Sequence, residues 1–546
     1  MAMKAASLFV RCLEAEGVEF IFGLAGEENL ELLDALSESK IRFITTRHEQ
    51  AAAFMADVYG RITGRAGVCL STLGPGATNL VTGVADAYLD RAPLVAITAQ
   101  GALDRLHKES HQAIDVIAMF RTITKWNAQV DRAGAIPEIV RKAFKVAQTE
   151  KPGPCHIELP EDVAAASSEG SPLQADRPRR PSPDRPSLST AAGIIKEARR
   201  PIILAGNGVI RGRASLELNR FSQAAGIPVA NTFMAKGVVP WDSELALLSI
   251  GLQAHDYVNC GFDQADLVIA IGYDFVEYSP RLWNPGKDKR IIHIDFTPAE
   301  VDEAYQTQVE IVADIRETLE LLLPLVGEPK RLVYPKKLRQ FILEDLERFT
   351  HEDSFPMKPQ RILHELNSAL GKDSLVISDV GAHKLWIARM FLDSGPNTVI
   401  ISNGLAAMGI SLPGAIAAKL ITPERRVVAV CGDGGFLMNS HELETAIRLK
   451  VNPVVLIFND NGYGLIRWKQ QAMFGREFGV SFGNPDWVKF AESFGVKGYR
   501  VEAAGDLAKI LREAFRQKVP SVIDVPVDYS EHGHLIEQLG NLVCPL

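Results

Sequence analysis

A chain of 546 residues is too long for one hydrophobic core and predicts about three domains. With 47% hydrophobic and 23% charged residues it reads as an ordinary globular chain, and no run of about 18 apolar residues predicts a membrane span. A net charge of −8 speaks against nucleic acid as the main partner, which would demand a basic face.

In chain order, amphipathic AASLFVRCLEAEG predicts a helix, and the short apolar runs AGVCLST, APLVAITA and PCHIELP predict strands. That alternation predicts a parallel sheet in a first domain, residues 1–165. The stretch SSEGSPLQADRPRRPSPDRPSLS is rich in proline, serine and charge and predicts a linker over 166–190. RRPIILAGNGVI, QADLVIAIGYD and RIIHIDFTP predict a second α/β domain over 191–330. Charged KRLVYPKKLRQFILEDLERF predicts a helical connector within 331–355. SLVISDVG, RVVAVCGDGG, NPVVLIFNDNG and PSVIDVPVDY place a third domain at 356–546. The expected fold class is α/β: three consecutive doubly wound parallel-sheet domains, with ligands at the carboxyl ends of strands. The six cysteines (Cys12, Cys69, Cys155, Cys260, Cys431 and Cys544) are scattered without a CxxC pair, which predicts reduced thiols. MAMKAASLFVRCLEAEG lacks the apolar region and cleavage site of a signal peptide, so the expected location is cytoplasmic.

The densest chemistry lies in VVAVCGDGGF, a buried strand running into a glycine-rich turn ahead of the helix SHELETAIRLK. Gly432, Gly434 and Gly435 let backbone N–H groups approach an anion, and a following helix favours negative charge. Asp433 amid a phosphate cradle needs a cation between the two, which implies Mg²⁺ or Ca²⁺ bridging to a diphosphate. The next strand ends in Asp460-Asn461-Gly462, 27 residues further on, the length of one strand–helix–strand unit. The second carboxylate therefore lands beside the first. Asp433, Asp460 and the Gly462 carbonyl are the candidate metal ligands. Each turn alone reads equally well as a tight turn; together at this spacing, each closing a β-run, they point to a metal–diphosphate site.

GDGG and NDNGYG resemble the metal motif of the thiamine-diphosphate enzymes of the pyruvate decarboxylase and acetolactate synthase superfamily, although Asp460 stands where most members have Asn. The resemblance extends over essentially the whole chain, through RHEQAAAFMADVYGRITG, GPGATNL, HQAIDVIAMFRTITKWN, ISNGLAAMG and FAESFGVKG. It implies the thiamine-diphosphate-binding fold in the order pyrimidine-binding, central and diphosphate-binding. It also implies thiamine diphosphate with Mg²⁺ lying across two subunits of a homodimer or a dimer of dimers (a homotetramer). By resemblance, Glu49 hydrogen-bonds the pyrimidine ring nitrogen and stabilises the imino tautomer, whose exocyclic nitrogen deprotonates the thiazolium C2. Met408 matches the apolar side chain that wedges the two rings together. Pro75 and Asn79 match pyrimidine contacts, Leu405 and Met408 match backbone contacts, and Gly381, Ala382 and His383 match a diphosphate loop. Tyr463 joins the diphosphate side. Ala25 of GLAGEEN departs from the proline of many relatives.

Gln112 stands where carboligating acetolactate synthases have a glutamine near the reacting centre. The stretch IGYDFVEYSPRLWNPG resembles the catabolic, flavin-independent group, so FAD is not expected. The implied reaction is decarboxylation of pyruvate and carboligation to a second pyruvate, giving 2-acetolactate and CO2. Glu28 of AGEENL replaces a lysine usual in the catabolic group, and Trp468 of LIRWKQQAMFG also departs from it, which leaves the acceptor open. The alternatives are a non-oxidative 2-keto acid decarboxylase releasing an aldehyde and a non-catalytic cofactor-binding subunit; intact Glu49, Asp433 and Asp460 argue against the second. Neither a regulatory subunit nor a membrane or nucleic-acid partner is expected.

Overall fold

The computed structural model of the chain describes residues 3–176, 179–252, 255–393, 395–535 and 542–544. It divides into two compact units. One comprises Met1–Arg179, Gly404–Pro423 and Leu437–Val451; the other comprises Arg180–Asn403, Glu424–Phe436 and Asn452–Leu546.

The first unit is built on a six-stranded sheet in the spatial order Arg42–Thr45, Phe20–Gly23, Gly67–Ser71, Leu94–Gln100, Pro154–Pro160, Trp126–Gln129. Every pairing is parallel. Its three central strands from Gly67 to Pro160 are buried at every position, because a parallel sheet covered on both faces selects continuous apolar runs. The helix Glu49–Thr63 is buried over Ala51–Gly60, wide enough to pack against Pro75–Leu89 and Ser411–Ile421. Gly64, at φ 71°, ends it in the left-handed region that glycine adopts without strain.

The second unit holds two more six-stranded sheets, again parallel throughout. The central one runs Ala246–Ser249, Val229–Asn231, Pro201–Ala205, Leu267–Ile271, Arg290–Asp295, Thr307–Val312. The last one runs Val399–Ile401, Ser374–Ser378, Arg426–Gly432, Val454–Asn459, Ser521–Pro526, Lys497–Arg500. Numbered along the chain, the first and last sheets share one strand order, 2-1-3-4-6-5, while the central sheet is 3-2-1-4-5-6. In each, the strand order reverses beside strand 1, and ligand-binding crevices open at such reversals.

Two local expectations change. The stretch read as linker becomes helical from Arg185, because Asp184 accepts the Ser187 N–H and Pro186 pre-sets the first turn. In the glycine-rich turn, helix begins at Asp433 itself (Asp433–Asn439), and a second helix, Glu442–Leu449, follows. All six cysteines are free thiols. Among the described residues, no helix is long and apolar enough to cross a membrane.

Candidate active site

In the first unit, strands 1 and 3 end in LAGEEN and TLGPGATN, on either side of the reversal. Gly74 sits at φ 47°, and a Cβ there would come within 2.6 Å of the Gln112 carbonyl oxygen. Gln112, itself left-handed at φ 57°, is exposed and laid against this loop. Pro75, also exposed, opens the helix Pro75–Leu89. Glu49 opens the helix Glu49–Thr63 and is 7% exposed. Asn79 Nδ2 donates to Glu49 Oε2 at 2.9 Å, and a Cβ on Gly76 would lie 3.3 Å from Glu49 Oε1. The structure thus brings Glu49, Asn79 and the GPG turn together, with Gln112 on the same turn. Glu28 is buried nearby and accepts the Thr72 hydroxyl at 2.9 Å.

Two turns along the Glu49 helix lies Asp57, fully buried, and among the described residues neither of its carboxylate oxygens finds a hydrogen-bond partner. Burial pushes its pKa up to about 7; the nearby Arg61 opposes the rise and Asp90 adds to it. Arg61 itself pairs with buried Asp90 at 3.1 Å.

The same unit carries the turn 404–409. Asp90 accepts the Gly404 N–H at 2.6 Å, Asp86 accepts the Ala407 N–H at 3.3 Å, and Asn439 donates to the Gly409 carbonyl at 2.9 Å. Ala406 is left-handed at φ 58°, Leu405 is exposed and Met408 half-buried.

In the second unit, strands 1 and 3 of the last sheet end in Asp379–His383 and in Asp433-Gly434-Gly435. Asp433 is 1% exposed. Its Oδ1 accepts the Gly434 N–H at 3.0 Å, the backbone N–H groups of Asn461 and Gly462 also point to it, and Asn484 Nδ2 lies 2.6 Å from its Oδ2. Asp460 lies close enough for the two carboxylates to repel. Burial first, and the Asp433 charge second, push the Asp460 pKa up to about 7, opposed by Arg467, whose Nη1 reaches Asp460 Oδ2 at 3.1 Å. Asp433 is itself raised, mainly by burial. Two mutually repelling, partly buried carboxylates suit a divalent cation, which would favour the charged form of both. Among the described residues, no group of three or more His, Cys, Asp or Glu side chains converges, so such a cation takes its remaining oxygens from elsewhere.

The glycines make room around these acids. A Cβ on Gly435 would lie 2.9 Å from Asp379 Oδ1, and one on Gly434 would lie 2.8 Å from the Tyr463 ring. His383 is buried with its ring beside Gly381 and Gly432; burial pushes its pKa down to about 3, so it is neutral. Ala382 is buried at the start of the helix Ala382–Met390. Trp468 rests edge-on against His532, ring centroids 5.2 Å apart.

The reversal in the central sheet is filled by the chain itself. Both Glu277 oxygens lie 3.1 Å from the Asn207 N–H, Thr232 donates its hydroxyl to the same carboxylate, and Gly208 and Gly272 leave no room for a side chain between them. Burial pushes the Glu277 pKa up to about 7.

Sequence reasoning missed Asn484, Arg467, Asp86 and Asp90. Asn484 and Arg467 lie beyond the motif that carries the acids. Asp86 and Asp90 sit four apart on the helix Pro75–Leu89 and its cap, a spacing that marks one helix face and was the only available signal.

Three family descriptions cover most of the chain: "Thiamine pyrophosphate enzyme, N-terminal TPP binding domain" matches residues 3–119, the central domain 188–322, and the C-terminal TPP binding domain 379–525. Among curated relatives, a probable acetolactate synthase large subunit of Methanocaldococcus jannaschii is 38% identical over 100% of this chain and 96% of its own length. The acetolactate synthase of Bacillus subtilis is 37% identical over 97% of this chain and 94% of its own. The catabolic acetolactate synthase of Raoultella terrigena is 38% identical over 98% and 97%.

Proposed function

Since the chain belongs to the thiamine pyrophosphate enzymes, among relatives of acetolactate synthase, we propose that it condenses two molecules of pyruvate to 2-acetolactate with release of one CO2. One observation carries this reading: relatives whose names state that activity align with nearly the whole chain at 37–38% identity. When bound, thiamine diphosphate supplies a carbon nucleophile that takes up the 2-keto acid and holds the electrons left by CO2.

The chain's own residues then have the following parts. Glu49 holds the proton shared with the pyrimidine ring nitrogen, and Asn79 fixes the carboxyl through its Oε2. Pro75, Leu405 and Met408 offer the apolar and backbone contacts for the rings, with Met408 as the wedge. Asp433, Asp460 and the Gly462 carbonyl hold Mg²⁺. Gly381, Ala382, His383, Gly432, Gly434, Gly435 and Tyr463 line the diphosphate side, where neutral His383 donates or accepts without adding charge. Gln112 stands at the rim to orient the second keto acid. The likeness of IGYDFVEYSPRLWNPG to the flavin-independent group supports a central domain without FAD, and purified protein is expected to be colourless. The reading includes domain limits at 1–165, 191–330 and 356–546, a cytoplasmic location, and a homodimeric unit or dimer of dimers in which two copies share each cofactor. Mixing inactive Glu49→Gln with inactive Asp433→Ala subunits should then restore activity.

The test is a product assay with pyruvate, Mg²⁺ and thiamine diphosphate, each omitted in turn. Acetolactate, seen as acetoin after acid decarboxylation, is the expected product. Acetaldehyde as the main product would overturn carboligation in favour of simple decarboxylation.

A further inference from the structure

Glu442, outside the groups proposed to hold the cofactor, is fully buried at the start of the helix Glu442–Leu449. Its Oε1 accepts two backbone N–H groups from almost four hundred residues away in sequence, Arg47 at 2.8 Å and His48 at 3.2 Å. Its Oε2 accepts the Thr445 hydroxyl at 2.5 Å. His441 Nε2 lies 3.6 Å from Oε1, and Arg448 Nη2 from the same helix donates to the Thr45 carbonyl. Burial pushes the Glu442 pKa up to about 6, and the hydroxyl and the two amides oppose that rise.

Arg47 and His48 are the two residues that lead into Glu49. His48 is the N-cap of the Glu49 helix, its Nδ1 accepting the Gln50 N–H at 3.1 Å, and Thr46 closes the same turn by donating to the His48 carbonyl. A backbone amide cannot choose among side chains, but an acceptor that takes two consecutive amides on one oxygen fixes the plane of the peptide between them. That peptide sets the direction in which the first residue of the helix leaves the turn.

We propose that Glu442 is the positioning residue for Glu49: its buried carboxylate fixes the 47–48 backbone and so aims the Glu49 carboxyl. The proposal rests on the acid role given to Glu49 above. Reach, rather than charge, is the operative property. Glu442→Gln keeps an oxygen at the same distance for the two amides, and the Thr445 hydroxyl can turn to accept from the new NH2. Glu442→Asp keeps the charge but draws the acceptor back by one methylene.

The experiment measures hydrogen–deuterium exchange at C2 of thiamine diphosphate bound to the full-length protein with Mg²⁺, by NMR after acid quench, together with cofactor retained after gel filtration. Wild type must exchange rapidly and Glu49→Gln slowly; if either fails, the reading of Glu49 is at fault. With those controls in place, Glu442→Asp is expected to slow exchange by about 10- to 100-fold, the scale of a misplacement near 1 Å. Glu442→Gln is expected to stay close to wild type, with cofactor retention unchanged in both. Wild-type exchange in Glu442→Asp, or a slower rate in Glu442→Gln than in Glu442→Asp, would overturn the proposal. Should Glu442→Asp not fold, Glu442→Gln decides alone: a rate as slow as Glu49→Gln overturns it, and a rate near wild type supports it.

Discussion

The loops that follow the third strand of the first and last sheets leave their sheets at the same topological position and are built on the same backbone device. In each, glycines let a neighbouring group come closer than any Cβ would allow: the Gln112 carbonyl at Gly74, the Asp379 carboxylate at Gly435. Their chemistry is opposite. At the GPG loop each carboxylate has a partner within the chain: Asn79 donates to Glu49 Oε2 and Thr72 to Glu28. At the GDGG loop two of the carboxylates, Asp433 and Asp460, repel, and burial together with that repulsion holds Asp460 at a pKa of about 7 despite a guanidinium beside it. The difference teaches that the acids at the first loop find partners within the polypeptide, whereas the pair at the second repels, a repulsion that the proposed Mg²⁺ would relieve.

The largest effect that could break this contrast is expected at Asp433. Asp433→Ala removes one of the two acids and the acceptor for three backbone amides, and is expected to abolish Mg²⁺-dependent retention of thiamine diphosphate. Stoichiometric cofactor in the gel-filtered variant, read by fluorescence after oxidation to thiochrome, would contradict it.

At the first loop the expectation reverses: chemistry suffers and binding does not. Glu49→Gln keeps the Asn79 contact but has no proton to share, so C2 exchange should slow by about 10²–10⁴-fold with cofactor retention nearly unchanged. Equal losses in both quantities would erase the distinction between the two halves.

A smaller effect sharpens the second half. Asn484→Ala takes away the amide that orients Asp433, and Mg²⁺ affinity, titrated calorimetrically in the presence of thiamine diphosphate, should weaken by about 10- to 100-fold. Asp460→Asn, which keeps an oxygen ligand, should weaken it less than Asn484→Ala.

The smallest concerns pH. Asp57, in the Glu49 helix, has its folded pKa raised from 3.8 to about 7, so the folded state keeps a proton that the unfolded chain releases. Its contribution to stability is fully present below pH 3.8, declines as pH rises towards 7, and is lost above it. Asp57→Asn cannot ionise, so its melting temperature relative to wild type should be higher at pH 8 than at pH 5. A gap that stays constant across that range would show that Asp57 is ionised in the folded protein.

The acidic pair of the last sheet was the more legible part in sequence. Asp433 and Asp460 announce themselves by closing two buried strands, and the strands themselves, such as Arg426–Gly432 and Val454–Asn459, are apolar runs covered on both faces. The strands that escaped notice are mostly edges: Arg42–Thr45, Trp126–Gln129, Thr307–Val312 and Lys497–Arg500 are half-exposed and carry no continuous apolar signal. Glu49 and Met408 were legible only through a family likeness, because a carboxylate at a helix start and a methionine in a turn have ordinary structural uses. Asn484, Arg467, Asp86 and Glu442 act on groups 7 to nearly 400 residues away, and no local pattern encodes such pairings.

The clasp on the 404–409 turn bears on how this protein could be re-engineered. Asp90 and Asp86 hold the turn by its amides at Gly404 and Ala407, a feature that every residue except proline presents. The side chains at 405 and 408 are therefore uncoupled from the force that keeps the turn in place. A combinatorial library that randomises Leu405 and Met408 should keep the turn's conformation, and with it a high fraction of folded clones. Position 406 is the exception, since its left-handed backbone favours glycine, asparagine and aspartate beside the alanine already there.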